Sequence, residues 1–202
     1  MKKIILPALL SSAVAYADIH ADMMSTVEFE TTREVSLETE SGDVSINYSG
    51  MSYEYKSKDF IRHAGQASDM FPDFLEASGV SATRCRTQEI NVYDVETEVL
   101  NQERIRETVN WSDPNRTGRT NWNMLGLYEK GESSRVPATI YTDIRLYTAD
   151  RMRIISHEMY HFWHDQYCLS RQGINSEEMA QAFETFYREN VYNPTYRRPY
   201  SQ

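Results

Sequence analysis

The stretch "RIISHEMYHFWH", Arg153 to His164, holds His157, Glu158, His161 and His164, in a chain with 5 His among 202 residues. On a helix at about 100° per residue, with His157 at zero, His161 falls at about 40° and His164 at about 340°. Met152, Ile155, Met159, Phe162 and Trp163 fall in the opposite arc, about 140–240°. The spacing predicts a helix from about Thr148 to Tyr167. One face of it is histidine-rich, and the other must be buried against another layer.

Imidazoles four residues apart on a helix are stacked neighbours and can share one metal ion. Glu158 lies off the apolar face, beside the first imidazole. In the H-E-x-x-H pattern that Glu is the general base on a metal-activated water, and the metal is Zn2+. The five letters recur by chance in roughly one such sequence per hundred, so the flanks matter. They are uncharged around the ligands: Ile154, Ile155, Met159, Tyr160, Phe162 and Trp163.

Catalytic zinc usually has three protein ligands, so one is still to be found. A metzincin would place Gly at position 163 and His at 167, where this chain has Trp163 and Tyr167. His164 is one turn beyond His161, and three ligands in line along one helix make a poor tetrahedron. It reads instead as a supporting histidine beside the site. The remaining candidates are on a second helix predicted from about Ser176 to Val191. With Glu177 at zero, Gln181, Glu184 and Arg188 form a polar stripe between about 340° and 40°. Met179, Ala182, Phe183 and Phe186 form the expected apolar face. Asn175 as N-cap with Glu178 three residues later makes a capping-box arrangement, which leaves Glu177 free.

The run from Glu177 to Phe183, "EEMAQAF", resembles the E-x-x-A-[DEN]-x-F helix of gluzincins, zincin metallopeptidases with H-E-x-x-H and a later Glu. It is particularly similar to the peptidase domain of anthrax lethal factor and its small secreted relatives. The resemblance covers about residues 124–187. It implies a zincin-like fold, Glu177 as third zinc ligand, and Gln181 supporting a zinc-bound histidine. Gln181 departs from the acid commoner at that position. "MLGLYEK", from Met124, is similar to the zincin edge strand, which binds extended substrate by strand addition. An oxyanion donor is also needed, and Tyr167, Tyr192 and Tyr196 are the candidates.

The N-terminus reads MKKIILPALLSSAVAYA: two lysines, a short apolar run and a small-x-small site. This is a signal-peptide pattern with cleavage expected after Ala17, so the chain is expected to be secreted or periplasmic. Removing Lys2 and Lys3 takes the formal net charge from −9 to −11. Such acidity argues against nucleic-acid partners, and no further apolar run reaches membrane-spanning length. In an exported chain the two cysteines, Cys85 and Cys168, are expected to pair.

Residues 26–56 alternate and predict a β-meander or pair of hairpins, with Tyr53 and Tyr55 in its last strand. Residues 58–78 predict helix, kinked or broken at Pro72. Residues 89–96 predict a strand, and 124–144 two strands joined by a turn. The expected fold is α+β, helices on one side of a mixed, mostly antiparallel sheet. Residues 1–17 are the leader, 18–57 an N-terminal β segment of the same domain or a pro-region, and 58–202 the metallopeptidase-like domain. The function expected is peptide-bond hydrolysis. The alternatives are an inactive zincin-like binding or inhibitory protein, and a zinc amidase acting on cell-wall material.

Overall fold

The computed structural model describes residues 27–51, 54–96, 126–131, 136–196 and 200. The expected leader, its cleavage site and residues 97–125 lie outside them. Five strands form one sheet: β1 (Thr31–Leu37), β2 (Val44–Gly50), β3 (Ile90–Val95), β4 (Gly126–Glu129) and β5 (Ala138–Asp143). Three helices accompany them among the described residues: α1 (Glu54–Ala77), α2 (Thr148–Gln166) and α3 (Ser176–Asn190). The protein is therefore α+β.

The strand order is β1-β2-β3-β5-β4. The β1–β2 and β4–β5 pairs are antiparallel, while β2–β3 and β3–β5 are parallel. The sheet is thus evenly mixed, which corrects the mostly antiparallel expectation. The reason is the crossover: β2 leads into the 24-residue α1, which returns the chain to lay β3 parallel beside it. The expected N-terminal β segment supplies two of the five strands, and its boundary at 57/58 falls inside α1. Among the described residues one hairpin forms there, β1–β2. Tyr55 lies in the first turn of α1 instead of a further strand.

The β1–β2 turn closes where Gly42 N–H donates to the Thr39 carbonyl, with Gly42 at φ 110, a left-handed conformation that suits glycine. Across the parallel pairs, Ile46, Ile90 and Ala138 align in one row, and Tyr48, Val92 and Ile140 in the next. These inward side chains join Phe60, Ala64, Phe71, Met159, Trp163 and Phe183 from the helices in one core. A smaller cluster, Val95 and Tyr141 with Phe29, Tyr93 and Leu127 against it, forms separately.

Pro72 does not break α1, which continues to Ala77. Proline lacks the N–H that would bond the carbonyl four residues back, here Ser68. The Ser41 hydroxyl donates to that carbonyl at 2.5 Å. The helix therefore passes through proline with its freed acceptor satisfied. The Ser68 hydroxyl in turn accepts from Trp163 Nε1 at 2.8 Å, tying α1 to α2.

Cys85 and Cys168 form a disulfide with Cα atoms 6.1 Å apart. The Cys85 and Arg86 N–H groups both donate to the Gln166 carbonyl, so the 80–88 segment closes the end of α2. In α3 the buried side chains are Ala180, Phe183 and Tyr187, while Ala182 is exposed. On the wheel set from Glu177, that face centres near about 270°, rotated from the arc expected for the apolar residues. Tyr187 explains the rotation. Its ring enters the core and its hydroxyl lies 2.7 Å from His63 Nδ1, which satisfies it there.

Candidate metal centre

The inward face of α2 is the expected one: Met152, Ile155, Met159, Phe162 and Trp163 are all buried. That burial turns His157 and His161 outward toward α3. Their Nε2 atoms converge to 3.2 Å. The α2–α3 connection then brings the second helix alongside. At its start the Asn175 side chain accepts from the N–H groups of Glu177 (3.1 Å) and Glu178 (3.3 Å). This cap fixes the first turn of α3 against the imidazoles. Glu177 Oε1 lies 3.5 Å from His157 Nε2, and Oε2 lies 3.5 Å from His161 Nε2.

His157, His161 and Glu177 each offer one ligand atom, all within 4.8 Å of one another. Donors about 2.0–2.1 Å from a tetrahedral zinc stand about 3.3 Å apart. The observed separations bracket that value, so the residues present fit the ion. The other nitrogens of the rings face polar side chains of α3. Ser176 Oγ is 2.7 Å from His161 Nδ1, and Glu184 Oε2 is 3.5 Å from His157 Nδ1. Both rings thus aim Nε2 at the shared point. Burial pushes His161 down to about 4, with the neighbouring His157 adding to the effect, which favours the neutral, ligating form.

Glu158 is 5% exposed. Burial pushes its carboxyl up to about 8, and the charge of Glu177 adds to the shift. Strand β4 covers it. A Cβ on Gly126 would stand 2.6 Å from Glu158 Oε1 and 2.5 Å from Ile154 Cγ2, so any larger residue there would push both side chains aside. Two residues on, the Tyr128 ring stacks on His161 with an interplanar angle of 17°. Its hydroxyl donates to Asp165 Oδ2 at 2.9 Å, and Lys130 Nζ donates to Asp165 Oδ1 at 2.5 Å. Burial and the Asp165 carboxylate hold the Tyr128 hydroxyl well above the usual tyrosine range.

Other expected residues take other places. His164 is buried, with Nε2 3.4 Å from the Ile174 carbonyl oxygen. It braces the connection that carries Asn175, and burial lowers its pKa. Gln181 Nε2 donates to Glu177 Oε1 at 3.2 Å, so it supports the carboxylate and touches neither imidazole. The Tyr167 hydroxyl donates to the Ser41 carbonyl at 3.2 Å, and its ring packs on Phe71. The Tyr196 hydroxyl donates to Asp73 on α1. The structure brings neither tyrosine to the histidines. Tyr192 is 74% exposed just beyond α3. Ser176, Glu184 and Tyr128 are at the centre without having been singled out from the sequence. Glu184 was legible on the α3 polar stripe, whereas Tyr128 needed the packing of β4 against α2.

No family model, no curated protein and no solved structure matches this chain.

Proposed function

We propose that this chain is an exported zinc-dependent metallopeptidase of zincin type. The observation that carries the reading is the convergence of three donors, His157, His161 and Glu177, with a buried, non-ligating Glu158 beside them. Those three residues would hold the ion. Zinc in such a site supplies a Lewis acid for a peptide carbonyl and acidifies water.

With its raised pKa offset by the positive charge of a bound ion, the Glu158 carboxylate accepts the proton of the attacking water and returns it to the departing amine. Its burial keeps bulk water from competing for that proton. Among the described residues β4 is the last strand in the sheet order, so an extended peptide adds beside it, next to Glu158. Export is supported by the N-terminal leader pattern and by the Cys85–Cys168 bond, a pairing typical of oxidising compartments. No described helix is long and apolar enough to cross a membrane. A second reading, a zinc-binding protein without turnover, is favoured by one observation. Tyr167 and Tyr196, two of the oxyanion-donor candidates, are engaged elsewhere.

The test is zinc content and peptide cleavage of residues 18–202, with Glu177→Ala set against Glu178→Ala. Equimolar zinc and chelator-sensitive cleavage are expected in the parent and in Glu178→Ala. Glu177→Ala should lose more affinity than the roughly 10–100-fold that an outer partner costs. Zinc without cleavage selects the second reading, and no zinc in the parent refutes both. A further expectation concerns Gly126→Ala. The added methyl must displace both Glu158 and Ile154, and a shift of Glu158 on the order of 1 Å lowers cleavage by roughly 10²-fold with zinc retained. Assays on the purified variant would show it. Unchanged turnover would remove β4 from the site.

A further inference from the structure

The helix pair α2–α3 carries a ladder of polar contacts. From the α3 N-terminus onward, Ser176 meets His161, Glu177 meets both histidines, and Glu184 meets His157 and then Arg153. Residue numbers rise on one helix as they fall on the other, as antiparallel neighbours require. Gln181, four residues after Glu177, falls between these rungs and reaches back along its own helix to Glu177. Gln181, four after Glu177, thus faces its own helix, whereas Glu184, seven after it, faces an imidazole.

We infer that Glu184, anchored by Arg153, is the positioning residue that sets the tautomer and ring orientation of His157. The inference rests on the metal-centre reading and deepens it. Glu184 Oε2 lies 3.5 Å from His157 Nδ1, and its other oxygen lies 3.4 Å from Arg153 Nε. A carboxylate can only accept, so a proton on Nδ1 is favoured and the Nε2 lone pair is left for the ion. At 3.5 Å the contact is long for a hydrogen bond, and such bonds tighten when a site is filled. Arg153 occupies the far oxygen and keeps the near one turned toward the ring. Glu184 is 19% exposed at its side chain, against 62% for Glu177, so the contact is sheltered as well as charged. His161 has a neutral counterpart in the Ser176 hydroxyl, 2.7 Å from its Nδ1. The two imidazoles are thus held from one helix by unlike partners, one charged and one not.

The experiment compares Glu184→Ala, Glu184→Gln and Gln181→Ala in the full mature chain, residues 18–202. Zinc affinity is read by chelator competition. The His157 tautomer is read from imidazole ¹⁵N resonances of chelator-treated protein. Glu184→Ala is expected to weaken zinc roughly 10–100-fold and to shift His157 away from the Nδ1–H form. Glu184→Gln, which keeps an acceptor, should recover part of both. Gln181→Ala should leave the tautomer unchanged. Thermal melting checks that each variant folds. A parent protein with His157 protonated on Nε2, or a Glu184→Ala variant with unaltered resonances and affinity, overturns the inference. If the parent binds no zinc, the function proposed above fails, and the resonances still decide the role of Glu184.

Discussion

Replacing Glu158 with Gln is expected to lower peptide cleavage by about 10²–10⁴-fold, the range a positioned general base contributes. Zinc affinity should be unchanged, because the donor set is His157, His161 and Glu177 and does not include Glu158. Gln is nearly isosteric, and the side chain is enclosed by Gly126 and Ile154, so the fold should tolerate it. It also removes a buried acid beside the Glu177 charge, which works in favour of stability. The measurement is kcat/KM on a cleaved peptide, with bound zinc and melting temperature determined on the same preparation. Cleavage above a tenth of the parent rate would assign the base elsewhere. Loss of zinc along with activity would make Glu158 a ligand.

The largest effect on stability is expected from Asp94→Ala. Arg151, on the same helix as the histidines, is 1% exposed and donates to Asp94 Oδ1 at 2.8 Å and to Oδ2 at 2.6 Å. Asp94 is fully buried on β3, and it also accepts from Tyr48 at 2.5 Å and Thr142 at 2.8 Å. Arg151 further donates to the Lys56 carbonyl at 3.2 Å, and its Nε lies 3.5 Å from Asp59 Oδ2. One ion pair therefore joins β2, β3, β5, α1 and the start of α2. Removing one member leaves a buried charge with only the more distant Asp59, a loss of about 3–5 kcal/mol. For a chain of this length, that lowers the melting temperature by on the order of 10 °C. Thermal or urea unfolding would measure it, and a loss below about 1 kcal/mol would contradict the account. The paired change Arg151→Met with Asp94→Leu should cost less than Asp94→Ala alone, because no unpaired charge remains.

Local pattern carried far in this chain. The period of the apolar residues marked α2, from Thr148 to Gln166, and α3, from Ser176 to Asn190, to within a residue or so of their ends. Period and cap are properties of neighbours along the chain, and Asn175 caps α3 as its residue type suggests. The strands at 90–95, 126–129 and 138–143 were legible as runs of strand-forming residues. Pro72 misled because its rule is local, while the Ser41 hydroxyl that satisfies Ser68 comes from 27 residues away. Asp94 and Arg151 left faint marks. Asp94 continues the inward series Ile90 and Val92, and Arg151 sits at about 120°, at the edge of the apolar arc of α2. A single charge on a buried face reads as an exception until its partner is seen opposite.

For the metal centre, the H-E-x-x-H spacing by itself determined that two imidazoles would share one helix face with a carboxyl about 100° round from the first, because a helix has 3.6 residues per turn. Tertiary structure decided the rest. Which glutamate of α3 faces Nε2 and which faces Nδ1 depends on how two helices rotate against each other. That rotation follows from the burial of Ala180, Phe183 and Tyr187 in a core shared with α1 and the sheet. The parallel pairings of β3 likewise depend on crossovers that no local window contains. Helical period is set by backbone geometry between adjacent residues, whereas rotation and strand order are set by which distant surfaces exclude water together.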